Sequence, residues 1–249
     1  MYCRTVPTAL RPTIVGAGAA VLLAFAAPAV SSPQVSTARD PGAPTATQAW
    51  TAQVLYPVAA RRAPSPRARV VDRLMHYTNW SRRPQVLLVD GSYTEPGGRR
   101  WVRVRLARRP NGIQGWVPRD AVHVRSTGLR FRVSIARRVL EVFRDGRRVR
   151  SYRVAVGKPS TPTARGIFAV ADTVSVNSYL GPKIIVLTAY SPVLRNFLGG
   201  DGVAGIHGWG DSNAFGHAVS NGCVRIARDA VAQLARIARP GTPVEIKAR

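Results

Sequence analysis

Ile206-His207-Gly208-Trp209-Gly210-Asp211, followed after a polar stretch by Ser220-Asn221-Gly222-Cys223-Val224-Arg225-Ile226, is the part of this chain from which the rest is read. Of the two cysteines, Cys3 lies ahead of an N-terminal apolar run, so the rest of the chain carries Cys223 with nothing to pair to. An unpaired thiol in an exported chain is either a reactive group or a buried small hydrophobe. Its neighbours favour chemistry. A free thiol has a pKa of ~8.5 and is mostly protonated near neutrality, so it needs a base within reach. His207 closes an apolar strand-like run, Val203 to His207, whereas His217 falls in the polar loop Ser212 to His217. Rigid elements position catalytic groups better than loops, which selects His207. Gly222 permits close approach of a substrate carbonyl, and the N–H groups of Asn221, Gly222 and Cys223 are placed to face a developing oxyanion. A tight Gly222-Cys223 turn entering a helix is expected to lower the thiol pKa.

Working outward, that helix is the one convincing case in the chain. Ala227 to Ala238 puts Ala227, Val231, Leu234 and Ala238 on one face, with Arg236 and Arg239 near its end and Pro240-Gly241 as the stop. Everything else from Leu129 onward reads as strand. Phe131 to Ile135, Val139 to Phe143 and Val149 to Val156 are strand-like, and Asp145-Gly146 turns the second into the third. Gly166 to Val174, Ile184 to Leu187 and Val244 to Ile246 continue the pattern.

Upstream, short strands alternate with glycine-rich turns. Trp101-Val102-Arg103-Val104-Arg105-Leu106 alternates strictly, with Trp101, Arg103 and Arg105 on one face and Val102, Val104 and Leu106 on the other. Gly115-Trp116-Val117-Pro118 and Ala121 to Val124 follow, while Ala59 to Arg69 reads as a breaker-rich interruption. With Trp101 to Val104 and Gly115 to Pro118 as its motifs, the segment 51–125 resembles a bacterial SH3-like domain. That resemblance implies either a wall-binding module or a plain spacer. His76 and His123 are then ordinary histidines.

The formal charge is +25, almost all arginine, with lysine only at Lys158, Lys183 and Lys247. Such a surface concentrates near polyanions: nucleic acid, anionic lipid or an acidic wall polymer. The N-terminus narrows this choice. Arg4 and Arg11 precede an apolar run from Thr13 to Val30, and Ala27-Pro28-Ala29 has the small residues of a cleavage site. Residues 1–30 are therefore either a signal peptide or an uncleaved anchor, and 31–50 form a linker. Both outcomes place the rest across the membrane, in a periplasm or cell-wall space. Nucleic acid is excluded as a partner, and membrane contact runs only through the N-terminal segment if it stays uncleaved.

At the residues first quoted, the segment 129–247 resembles the L,D-transpeptidase catalytic domain of bacterial cell-wall enzymes. His207-Gly208, fourteen intervening residues, then Cys223 within Ser220-Asn221-Gly222-Cys223-Val224-Arg225 carry the resemblance. Val156-Gly157-Lys158-Pro159, Thr161-Pro162-Thr163 and Gly166-Ile167-Phe168 match a second block. The order His before Cys is the reverse of papain-like peptidases. The implied fold is mainly β: a small SH3-like barrel followed by a β-sandwich-like catalytic domain with one helix towards the C-terminus. The resemblance implies that Cys223 attacks the acyl carbonyl of a peptidoglycan stem peptide and that His207 takes the thiol proton. It implies that the Gly208 carbonyl orients His207 and that Asn221, Gly222 and Cys223 form the oxyanion hole. Asn221 stands where many relatives have His. Arg225 is a candidate for binding a substrate carboxylate or for a structural ion pair. Ser220 either orders the loop or touches substrate, and Tyr190 and Trp209 either line the cleft or pack. No cofactor and no metal is implied, since the spacing of His207, Asp211, His217 and Cys223 fits no zinc pattern. The acyl acceptor is a stem-peptide amine, water or a lipoprotein amine, and a non-catalytic wall-binding protein is the alternative from another class.

Overall fold

The computed structural model describes residues 40–197 and 199–249. The export segment expected over residues 1–30, and the linker as far as residue 39, lie outside the described residues. The remainder is mainly strand, in two large sheets that each have their own apolar core.

The first sheet contains β1 (Ala49–Val54), β2 (Val58–Arg61), β3 (Val70–Leu74), β4 (Val86–Thr94), β5 (Arg100–Arg105), β6 (Gln114–Pro118) and β7 (Val122–Thr127). Their order is β3-β2-β6-β5-β4-β1-β7. Every pairing is antiparallel, as short connections require. Ala52, Val54, Leu87, Val89, Val102, Val104 and Val117 form its core. Two local readings are corrected here. β1 begins at Ala49, inside the stretch read as linker. Val58 to Arg61, taken into the interruption from Ala59, is a strand pairing with β3. On the face it shares with Arg103 and Arg105, Trp101 is fully buried, donating its indole N–H to Glu95 at 2.6 Å.

The second sheet takes β8 (Leu129–Ser134), β9 (Val139–Arg144), β10 (Arg147–Arg153), β12 (Gly166–Ser178), β13 (Gly181–Tyr190), β14 (Val203–Trp209), β16 (Val224–Ala227) and β17 (Pro243–Lys247). Two further short strands, β11 (Val156–Gly157) and β15 (Ala218–Ser220), pair only with each other. The large sheet runs β10-β9-β8-β17-β12-β13-β14-β16. Asp145 and Gly146 both have positive φ, 51° and 82°, the geometry of a two-residue hairpin loop, so the β9–β10 turn forms as the Asp-Gly pair predicts. Helix α1 (Arg228–Ile237) buries Ala230, Val231 and Leu234 and packs over β13, β14 and β16. Ala227, expected on its buried face, is instead the last residue of β16. Phe131, Leu140, Ile185, Leu187, Ile206, Ile226 and Leu234 fill the core beneath it.

The two sheets are pressed together. Ala49 and Leu88 of the first form an apolar seam with Ala169 and Ile167 of the second. Gly241, just before β17, comes so close to β1 and β4 that a Cβ there would meet Thr51 at 2.8 Å and Val86 at 2.9 Å. Hydrogen bonds spanning 79 to 94 residues cross the same junction.

Candidate active site

β14 and β16 lie side by side in parallel, with Ile206 opposite Val224 and His207 opposite Arg225. Side chains alternate along strands, so Gly205 and His207 face the same way as Cys223 and Arg225. All four line one cleft of about 590 Å³, together with Tyr179, Trp209, Ser220, Asn221 and Gly222. The pairing register thus brings together two residues that stand sixteen positions apart in sequence.

The turn carrying Cys223 is held from behind by the upstream Val156–Thr163 block. Ala155 and Arg225 exchange two backbone hydrogen bonds at 2.9 Å, and Lys158 N–H donates to the Ser220 carbonyl at 3.0 Å. The Thr161 hydroxyl donates to that same carbonyl at 3.2 Å. Gly157 fits because it has no side chain: a Cβ there would lie 2.3 Å from the Thr161 carbonyl oxygen. Gly222, at φ 114°, holds a conformation that only glycine adopts without strain.

Ser220 is fully buried and its hydroxyl is part of this support. Its hydroxyl donates to the Cys223 carbonyl at 2.6 Å and accepts from Gly222 N–H at 3.1 Å. That second bond corrects the expected oxyanion hole. Gly222 N–H is already committed, which leaves Asn221 and Cys223 as the backbone donors of the turn that face no such claim.

His207 is 6% exposed, and its Nδ1 lies 2.9 Å from the Gly208 carbonyl oxygen. A carbonyl only accepts, so Nδ1 carries the proton and Nε2 is left as the basic nitrogen. Burial pushes the imidazole below its ordinary pKa; the Gly208 carbonyl acts the other way, and the Arg225 charge adds to the lowering. Cys223 keeps part of its surface, but burial of the sulfur raises the thiol pKa, offset in part by a hydrogen bond from the Gly205 backbone and the charge of Arg225. The expected lowering by a helix start does not occur. β16 intervenes between Cys223 and α1, which begins only at Arg228. Thiol and imidazole line the same cleft without a hydrogen bond between them, and burial disfavours the charged form of each.

Arg225 stacks on Trp209, its guanidinium carbon 3.6 Å from the ring centroid, while its buried Nε has no hydrogen-bond partner. Among the described residues no carboxylate pairs with it, so the structural ion pair is not formed. Trp209 lines the cleft and also meets Tyr179 edge-on. Tyr190, by contrast, does not line it. Its hydroxyl donates to the Ala107 carbonyl at 3.1 Å, and Arg109 covers its ring at 4.8 Å. Tyr190 belongs to the junction between the sheets. His217 is exposed and outside the cleft.

Two parts of the cleft were not foreseen. The loop between β13 and β14 contributes Leu194, Phe197 and Gly202. It is fastened by the first sheet: Arg109 donates to the carbonyls of Ser191, Leu194 and Asp201 at 2.6, 2.8 and 2.9 Å. Asn111 makes a two-way amide pair with the Tyr190 backbone at 2.8 and 2.9 Å. The second unforeseen part is Trp80, which reaches the cleft from the loop between β3 and β4. Neither has a local sequence signal, since each depends on contacts across some eighty residues.

Residues 129–246 match the sequence model of the YkuD family, the L,D-transpeptidase catalytic domain. A Bacillus licheniformis protein provisionally named L,D-transpeptidase YkuD is 33% identical over 117 residues, covering 47% of this chain and 64% of that protein. The chain therefore spans under two thirds of the curated relative it matches. Among solved structures, an Enterococcus faecium L,D-transpeptidase gives a TM-score of 0.39 at 19% identity, over 48% of this chain and 49% of that one. Mycobacterium tuberculosis L,D-transpeptidase 3, solved with a faropenem-derived adduct, gives 0.42 at 15% identity, over 59% and 91%. Family model and curated relative agree in likening residues 129–246 to an L,D-transpeptidase catalytic domain.

Proposed function

We propose that this chain is a peptidoglycan L,D-transpeptidase that works through a thioester on Cys223. The observation that carries the reading is the convergence of Cys223 and His207 on one cleft, with His207 Nδ1 committed to the Gly208 carbonyl. That commitment leaves Nε2 unprotonated and available as a base.

Because burial keeps the thiol protonated and the imidazole neutral, proton transfer accompanies attack rather than preceding it. Cys223 Sγ bonds to the acyl carbon of a donor stem peptide while its proton passes to His207 Nε2. Hydrogen bonds of this kind are loose in unliganded sites and tighten with substrate bound. The backbone N–H groups of Asn221 and Cys223 stabilise the oxyanion. His207 then protonates the leaving amine of the terminal D-Ala, the C–N bond breaks, and the thioester remains. An amine of a second stem attacks the thioester, losing its proton to His207 and restoring the thiol. Arg225, whose guanidinium lines the cleft against Trp209, binds a substrate carboxylate through its terminal nitrogens. The enzyme acts outside the cytoplasm, where its peptidoglycan substrate lies.

The test is to incubate the purified chain with a disaccharide-tetrapeptide and follow D-Ala release, with quenched samples examined for an acylated Cys223. Release with a transient adduct on the Cys223 peptide supports the reading. Folded protein that releases no D-Ala and shows no adduct sinks it.

A further inference from the structure

The cleft is not built by the catalytic segment alone. Trp80 lies on the loop between β3 and β4 of the first sheet, yet lines the cleft beside Val174, Ile184 and Val186 of the second. Its indole is 43% exposed, so it presents a face to whatever enters. The loop that delivers it is anchored on both sides of Trp80. Asp172 of β12, fully buried, accepts from the Thr78 hydroxyl at 2.5 Å, from Ser81 N–H at 3.1 Å and from the Ser81 hydroxyl at 2.7 Å. Thr173 N–H supplies a further donor at 2.7 Å.

A buried carboxylate is costly unless its oxygens are hydrogen-bonded, and here the satisfaction comes mostly from residues 78 and 81. Loss of those bonds would leave the charge stranded, so the loop is held in one place. The backbone adds to this: Thr78 N–H donates to the Arg83 carbonyl at 2.8 Å, and Tyr77 bridges to Pro84. A large aromatic ring, exposed, between two anchored residues, in a cleft that already holds a nucleophile, is a ligand-contact surface. Trp101 of the same sheet, by contrast, is fully buried.

We infer that Trp80 is a substrate-contacting residue of the Cys223 cleft, held there by Asp172 as a positioning residue, so that the first sheet completes the binding site. The contact it offers is a flat apolar face for a C–H surface of the substrate, found either on the sugar that bears the stem or on the aliphatic part of the stem itself. This rests on the peptidoglycan reading above.

The experiment compares wild type, Trp80→Ala, Trp80→Phe and Ser81→Ala in the full chain, with D-Ala release measured on both a free tetrapeptide and a disaccharide-tetrapeptide. Removing the burial of one indole face predicts a fall in kcat/KM of about tenfold for Trp80→Ala, carried by KM, with most of it recovered in Trp80→Phe. Ser81→Ala, which loosens the anchor without touching the ring, moves KM in the same direction by less. Alkylation of Cys223 by iodoacetamide and the unfolding midpoint of Trp80→Ala stay at wild-type values, which separates a lost contact from a damaged fold. A loss confined to the disaccharide substrate assigns the sugar as the contact, and an equal loss on both assigns the stem; each supports the inference. Active wild type with Trp80→Ala inside twofold of it overturns this inference and leaves the function standing. Wild type that releases no D-Ala from either substrate overturns both.

Discussion

Two walls of one cleft are held in place by different means. The wall carrying Cys223 is fixed by backbone: the β14–β16 ladder, the Ala155–Arg225 pair and the Lys158–Ser220 bond. The wall carrying Leu194, Phe197 and Trp80 is fixed by side chains that cross between the sheets: Arg109 and Asn111 hold the loop of Leu194 and Phe197, and Asp172 holds the loop of Trp80 through Thr78 and Ser81. Backbone ladders tolerate most substitutions, whereas a side-chain clamp is lost with one residue. Changes on the first wall should therefore lower kcat where they remove a reacting group or distort the turn at Gly157, Gly222 or Ser220, and changes on the second should loosen substrate binding with kcat kept.

The sharpest way to break that division is at the nucleophile. Cys223→Ala removes the bond-forming atom and should abolish D-Ala release, by ~10³-fold or more, with the unfolding midpoint kept because the turn is held by its backbone. Next is His207→Gln, expected to lower kcat by ~10²–10⁴-fold with little change in KM, since a positioned base contributes that much. Arg225→Leu should raise KM by roughly 10–100-fold, because hydrogen bonds between charged groups contribute ~1.5–3 kcal/mol. On the other wall, Arg109→Ala leaves three loop carbonyls without their donor. It should cost about 1–3 kcal/mol of stability in urea unfolding and raise KM several-fold while kcat stays near wild type. A fall in kcat with KM unchanged would contradict the division.

The smallest effect is in pH. His207 must be neutral to accept the thiol proton, and burial lowers its pKa below the ordinary 6.5. The acid limb of kcat/KM should therefore lie below pH 6.5, with rate lost as pH falls through it. The thiol, held protonated by burial, adds no ready thiolate near neutrality. An acid limb above 6.5 would mean that an ion pair, or another group, governs the reaction.

How much of this was legible in the sequence follows the same division. The strands from 129 onward were readable because alternation and the Asp145-Gly146 turn are local signals. His207 and Cys223 stood out in the sequence because each sits in a short motif, and the β14–β16 register puts both on one cleft. β15 and β16 were not, since strands of three and four residues around Gly222 carry no usable period. The thiol environment was misjudged for the same reason: without β16, Cys223 seemed to open the helix. For Tyr190 the sequence left cleft and packing both open, because the partners that decide it, Ala107, Arg109 and Asn111, lie about eighty residues away. Trp80 and Asp172 were silent altogether. Their pairing exists only once two sheets have docked, and nothing local to either residue announces it.

The nucleophile itself is tested most directly by intact and peptide mass spectrometry of the folded chain after exposure to a carbapenem. The account predicts a single adduct with the mass of the opened β-lactam, mapped to Cys223 and absent from Cys223→Ala. Folded protein in which Cys223 stays unmodified while D-Ala release continues would contradict it.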